Sequence, residues 1–126
     1  MLVLDTASLL YWTIDPAKFT PKAEQAIESA NRLIVSAMSI WEIGLKVKQG
    51  KLTLPLAFSD YVTDLKVLDK LEIYPVDLEI WLKNLDLPWS HSDPADRTIV
   101  ATALYLNCPL VSPDHMISHF YTNTLW

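Results

Sequence analysis

The sequence predicts an α/β fold, a three-layer α/β/α sandwich built on a central parallel sheet. Three observations carry that prediction. Apolar runs too short for helices recur at Leu2-Val3-Leu4, Leu33-Ile34-Val35 and Leu110-Val111, the signature of strands buried on both faces. Capped or amphipathic helical segments alternate with them, as a sheet covered by helices requires. Acids stand just beyond the runs, at Asp5 and Asp114, and ligand chemistry in open parallel sheets collects beyond the carboxyl ends of the strands.

Taken in order, Leu2-Val3-Leu4 is the first strand, and Thr6 to Trp12 suits a short helix. Asp15-Pro16 breaks the chain. Thr20 then caps a helix that starts with Pro21, a favoured first residue because proline has no amide hydrogen to leave unpaired, and runs to about Ala30. Leu33 to Ser36 is the second strand. Ser39-Ile40-Trp41-Glu42 opens the next helix, whose Ile40, Ile43 and Val47 form an apolar stripe, with Gly50 as its stop. Lys46 and Lys48 suit the carboxyl end of its dipole. Beyond Leu54-Pro55, a helix from about Ala57 to Lys70 precedes a third strand, Leu71 to Pro75. A short helix from about Asp77 carries Leu78, Trp81, Leu82 and Leu85 on one side, and stripes of this kind ordinarily face the core. Leu87 to Ser92 is a loop. Asp93 caps a helix with Pro94 at its first position that reaches Leu106 and ends at Asn107 and Pro109. Leu110 to Ser112 makes the fourth strand, and the tail to Trp126 supplies a short edge strand.

Composition narrows the function classes. The 126 residues make one domain, residues 1–126, with 51% hydrophobic content and five Trp, ample for packed layers. No apolar run approaches the ~18 residues of a membrane span, and the amino-terminal residues do not read as a signal peptide. The lone Cys108 has no internal disulfide partner, which fits a reducing, cytoplasmic setting. With only Gly44 and Gly50, there is no phosphate-cradling glycine loop. A net charge of −5 disfavours unaided binding to a polyanion unless cations offset part of it in a metal site.

Four acids are the candidate site: Asp5, Glu42, Asp96 and Asp114. Each follows a strand or begins a helix, so a parallel sheet brings all four to one edge. Carboxylates packed together repel, and some protonate unless a cation joins them. An oxygen-only ligand set without a His or Cys cluster suits Mg²⁺ or Mn²⁺. A divalent ion there lowers the pKa of a water and neutralises charge on a phosphodiester. Each acid also has a plainer role open to it. Asp5 can cap the following helix, and Ser39-x-x-Glu42 matches a capping box. Asp96 suits the helix dipole, and Asp114 suits a turn after Pro113. Thr6 and Ser112 can donate hydroxyls to the carboxylates, and Arg97 can pair with a carboxylate or touch a phosphate, the first being favoured. Lys46, Lys48 and Lys51 form a small basic group able to meet a nucleic-acid backbone. His91, His115 and His119 show no zinc spacing and read as surface or hydrogen-bonding groups.

With these residues in view, the chain resembles the PIN-domain nucleases, most closely the VapC-type toxins of bacterial toxin–antitoxin pairs. The resemblance rests on Leu4-Asp5-Thr6, on Ser36 to Ile43, on Gly50 to Pro55, on Asp93-Pro94-Ala95-Asp96-Arg97, on Leu110 to Asp114 and on Leu125-Trp126. It implies a sheet of order 3-2-1-4-5 and one or two Mg²⁺ or Mn²⁺ ions on Asp5, Asp96 and Asp114, with Glu42 binding metal or orienting the attacking water. It further implies cleavage of tRNA or rRNA at single-stranded or loop regions, a homodimer, and silencing by a small antitoxin laid over the acidic site. Ala95 stands where the family often has a bulky aromatic, and Trp89-Ser90-His91-Ser92 where it often has a His- or Arg-rich run. Two rivals differ in class. An aspartyl phosphohydrolase needs a second acid where this chain has Ala7. A catalytically idle PIN-like module would bind RNA or a protein partner instead.

Overall fold

The computed structural model describes residues 1–126 and contains five strands in one parallel sheet of order β3-β2-β1-β4-β5. Strand β1 (Leu2–Leu4) lies in the middle, paired with β2 (Leu33–Ser36) and with β4 (Leu110–Val111). The edges are β3 (Leu71–Tyr74) and β5 (Thr124–Leu125). Both the architecture and the strand order agree with the reading from sequence.

Alternation along the strands sorts the core onto two faces. Val3 and Ile34 pack with Ile80, Ile99, Val100 and Ile117 from helices α5 (Leu78–Asp86), α6 (Pro94–Leu106) and α7 (His115–Phe120). Leu2, Leu4 and Leu33 pack on the other face with Ala23 and Ile27 of α2 (Pro21–Ser29). A third cluster joins Val35 to Leu9 of α1 (Thr6–Ile14), Ile43 of α3 (Ala37–Lys48), and Tyr61 and Leu65 of α4 (Phe58–Lys66). Gly44 lets α3 and α4 close up, since a β-carbon there would meet the Phe58 ring at 2.8 Å.

Several boundaries differ from the sequence reading. Helix α3 begins at Ala37, capped by Ser36 through the Met38 amide, so Ser39 is no cap and its proposed box with Glu42 does not form. Ser39 is buried inside the helix and Glu42 sits in the second turn rather than the first. Helix α4 ends at Lys66, short of Lys70, because the chain must turn through Asp69 and Lys70 to pair Leu71 with Leu33. A 3₁₀ turn at Pro16–Lys18 and helix α7 were not anticipated.

The largest correction concerns α5. Leu78, Trp81, Leu82 and Leu85 point outward, with Trp81 42% and Leu85 79% exposed. Ile80 and Asn84 face inward instead. Asn84 is buried because its Nδ2 donates to Thr98 Oγ1 at 3.0 Å and its Oδ1 accepts from Arg97 Nε at 3.3 Å. A polar residue therefore occupies the inner face, and the leucine stripe is left on the surface.

Candidate active site

The carboxyl edge of the sheet holds a polar cleft of about 420 Å³ lined by Asp5, Thr6, Glu42, Lys46, Asp93, Asp96 and Asp114 among others. The four acids singled out in the sequence thus meet in one place. Strand β1 delivers Asp5, α3 delivers Glu42, α6 delivers Asp96, and the turn after β4 delivers Asp114.

Asp5 is the most enclosed of them, 5% exposed. Its two oxygens are both engaged. Oδ1 accepts the Ser8 amide at 2.8 Å, which caps α1, and Oδ2 accepts the Ser112 hydroxyl at 2.5 Å. The Ser112 oxygen in turn accepts the Asp114 amide at 3.0 Å, linking the two acids through one hydroxyl. Capping and cleft lining are therefore one role for Asp5, not alternatives. The same holds for Asp114, whose Oδ1 accepts the Met116 amide at 2.8 Å and caps α7.

Burial pushes the Asp5 carboxyl up to about 6, against the pull of the Ser112 and Ser8 hydrogen bonds, and Asp96 nearby adds to the rise. The Asp96 carboxyl is raised too, first by burial and then, against a lowering bond from His91, by the charges of Asp93 and Asp114. Such crowding resists full ionisation in the absence of a cation. All four acids offer only oxygen, the donor type that hard divalent ions take. Asp5, Asp96 and Asp114 line the cleft with oxygen donors of the type that Mg²⁺ or Mn²⁺ takes, and at its rim ligand atoms of His91, Asp93 and Asp96 lie within 4.8 Å of one another.

The supporting residues divide. Ser112 donates to Asp5 as anticipated. Thr6 does not reach a carboxylate; its hydroxyl donates to Ser39 Oγ at 2.9 Å, tying α1 to α3. Arg97 neither pairs with an acid nor faces the cleft as a free cation. Its Nη1 donates to the carbonyls of Trp89 (2.5 Å) and His91 (3.1 Å), and its Nη2 to those of Asn84 (2.6 Å) and Leu87 (3.4 Å). The guanidinium fork matches this set of carbonyls because its donors are planar and fixed. Lys46 lies 3.8 Å from Glu42 and lines the cleft. Lys48 borders a neighbouring groove with Ile40, Trp41 and Phe58, and Lys51 is exposed beyond Gly50, so the three lysines are not one patch on the cleft. Asp93 is the cap foreseen, accepting the amides of Ala95 and Asp96.

His91 is the residue that sequence reasoning did not single out. Its Nε2 lies 2.8 Å from Asp96 Oδ2. The loop folds back over the start of α6 to bring it there, and only the position of His91 five residues before Asp96 hinted at it.

Comparisons with known proteins bear on the fold and the family. The PIN domain family model matches residues 2–123. Ribonuclease VapC22 of Mycobacterium tuberculosis (strain ATCC 25618 / H37Rv) is 29% identical over 129 residues, covering 99% of this chain and 98% of that protein. A toxin–antitoxin complex from Klebsiella pneumoniae superposes with a TM-score of 0.69 at 16% identity, over 98% of this chain and 95% of the other. FitAcB from Neisseria gonorrhoeae does so with a TM-score of 0.64 at 19% identity, over 98% and 93%. With five parallel strands in the order 3-2-1-4-5, acids gathered at their carboxyl edge and a family match along nearly its whole length, the chain belongs to the PIN-domain family.

Proposed function

We propose that this protein is a Mg²⁺- or Mn²⁺-dependent endoribonuclease that cleaves tRNA or rRNA as the toxin of a toxin–antitoxin pair. The observation that carries the reading is the enclosed Asp5 carboxyl, raised to about 6 within a cleft that four further acids line. Similarity along the full chain to a ribonuclease supports RNA as the substrate. When bound, the ion supplies Lewis acidity at the phosphate and a more acidic water. The residues do the rest. Asp5, Asp96 and Asp114 hold the ion, and Ser112 fixes the Asp5 carboxylate. Glu42 orients the attacking water and takes up its proton, while Lys46 restrains the Glu42 side chain. Cleavage by that route leaves a 5′-phosphate and a 3′-hydroxyl.

Two partners follow from the same reading. A second copy of the chain covers the outer face of α5, where Leu78, Trp81, Leu82 and Leu85 are exposed. An antitoxin segment seats in the apolar groove of Ile40, Trp41, Leu45, Val47 and Phe58, on the helix that carries Glu42, and from there reaches the acids. Solved relatives of this fold that are toxin–antitoxin complexes support such a partner. No helix is long and apolar enough to cross a membrane, and a cytoplasmic site of action completes the proposal.

The test is purified protein incubated with defined tRNAs and rRNA fragments, in Mn²⁺ and in EDTA, beside the Asp5→Asn variant. Cutting at discrete positions by the parent in Mn²⁺ alone is the expected result. Uptake of Mn²⁺ with no cleavage of any of these RNAs would replace the enzyme by a binding module.

A further inference from the structure

The loop between α5 and α6 is held far more tightly than its sequence suggests. Arg97, from the first turns of α6, donates to three of its carbonyls, those of residues 87, 89 and 91, and to the carbonyl of Asn84 in the last turn of α5. The Trp89 ring stacks on Phe120 of α7 with centroids 4.7 Å apart and planes 7° from parallel. The His91 ring also lies against Trp89, centroids 4.7 Å apart and tilted by 39°. The aromatic contacts of Trp89 and the forked cation thus restrain both the ring and the backbone of His91. The fixed imidazole directs Nε2 at Asp96 Oδ2, 2.8 Å away, and both side chains are only about one-fifth exposed.

We propose that His91 is a positioning residue for the ion site: it occupies Oδ2 of Asp96 by a hydrogen bond and so orients the carboxylate, leaving Oδ1 to the cation. This rests on the reading of Asp96 as a metal ligand. Outer hydrogen bonds of this kind set the angle of a ligating carboxylate and lower the entropy lost when the ion binds. Arg97 and Trp89 serve the same end one step further out, by removing the freedom of His91 itself. The stack also explains how an isolated histidine in a loop of Trp, Ser, His and Ser can be held within hydrogen-bonding reach without support from secondary structure.

Mn²⁺ binding measured by calorimetry on the parent, His91→Leu, His91→Gln and Asp5→Asn proteins tests it, with melting temperatures in EDTA recorded for each. His91→Leu removes the donor and should weaken Mn²⁺ by about 10–100-fold. His91→Gln carries an amide nitrogen at nearly the same reach and should recover most of that loss. A parent that binds Mn²⁺, an Asp5→Asn protein that does not, and a His91→Leu protein that binds as the parent does would overturn the inference while leaving the proposed function intact. A His91→Gln protein as weak as His91→Leu would overturn it as well, because the ring and not the hydrogen bond would then matter. Should the parent itself take up no Mn²⁺, both readings fall together.

Discussion

Replacing Asp5 by Asn should make the ion-free protein more stable at neutral pH, although it removes a carboxylate proposed to hold the ion. The Asp5 carboxyl is raised from 3.8 to about 6, chiefly by burial. A carboxyl raised on folding favours the native state where it is protonated. That stabilisation is complete below the unfolded value near 3.8 and is lost as pH rises through about 6. A shift of about two units corresponds to roughly 3 kcal/mol at pH 7, an upper bound for a buried group. Asparagine carries no charge to bury. Its Oδ1 can keep the Ser8 amide, while its Nδ2 faces Ser112 Oγ, which must then accept and turn its own hydrogen away at a cost of about 1 kcal/mol. The expected net gain in EDTA at pH 7.5 is therefore about 1–2 kcal/mol, or several degrees in Tm. At pH 5 the electrostatic part should shrink to about half. Excess Mn²⁺ reverses the order, because the parent alone gains binding free energy, about 2.7 kcal/mol at one hundred times Kd. Urea denaturation between pH 4.5 and 8, with EDTA or Mn²⁺, measures all three. A variant no more stable than the parent at pH 7.5 in EDTA, or a difference that does not change with pH, would refute the reasoning.

Ser112→Ala removes a hydrogen bond that lowers the Asp5 pKa, so the carboxyl should rise further and the acid limb of Mn²⁺ uptake should move to higher pH. Binding titrations from pH 5.5 to 8 would read the shift, and a limb that stays or moves to lower pH contradicts it. Arg97→Lys replaces a planar fork by a point charge and leaves several carbonyls of the loop without donors; a loss of about 2–4 kcal/mol is expected by urea unfolding. Leu82→Glu places a charge on the exposed apolar face of α5. Light scattering should find a dimer for the parent and a monomer for the variant, with the melting temperature of the isolated subunit unchanged; a dimeric variant would move the interface elsewhere.

What was legible in the sequence was mostly what local pattern decides. Three apolar residues ending in Asp5 define β1, and the acids beyond strand ends mark the cleft. Asp93-Pro94 and Thr20-Pro21 placed the starts of α6 and α2 because capping depends on neighbouring residues alone. The failures depend on partners far along the chain. The inner face of α5 was misassigned because Asn84 becomes a buried residue only when Arg97 and Thr98 supply its hydrogen bonds. Arg97 looked like a partner for an acid, since nothing local shows that a loop folds its carbonyls around it. Ser36 and Ser39 are equally good caps by type, and the length of β2 chose between them. His91 acquires its role from the Trp89–Phe120 stack, which joins a loop to a helix that was itself not anticipated.

The central position of β1 bears on how such a chain is made. Strand β1 precedes both of its neighbours in the chain, at residues 33–36 and 110–111, so half of its pairing waits on closure of a very long loop. Contacts of that span form slowly and late. A polypeptide stalled or clipped before residue 110 has Asp5, Glu42 and Asp96 but lacks β4, Ser112 and Asp114, and cannot assemble the cleft. The topology therefore makes the whole cleft wait on the segment that carries Ser112 and Asp114, whatever the acids at residues 5, 42 and 96 have already done.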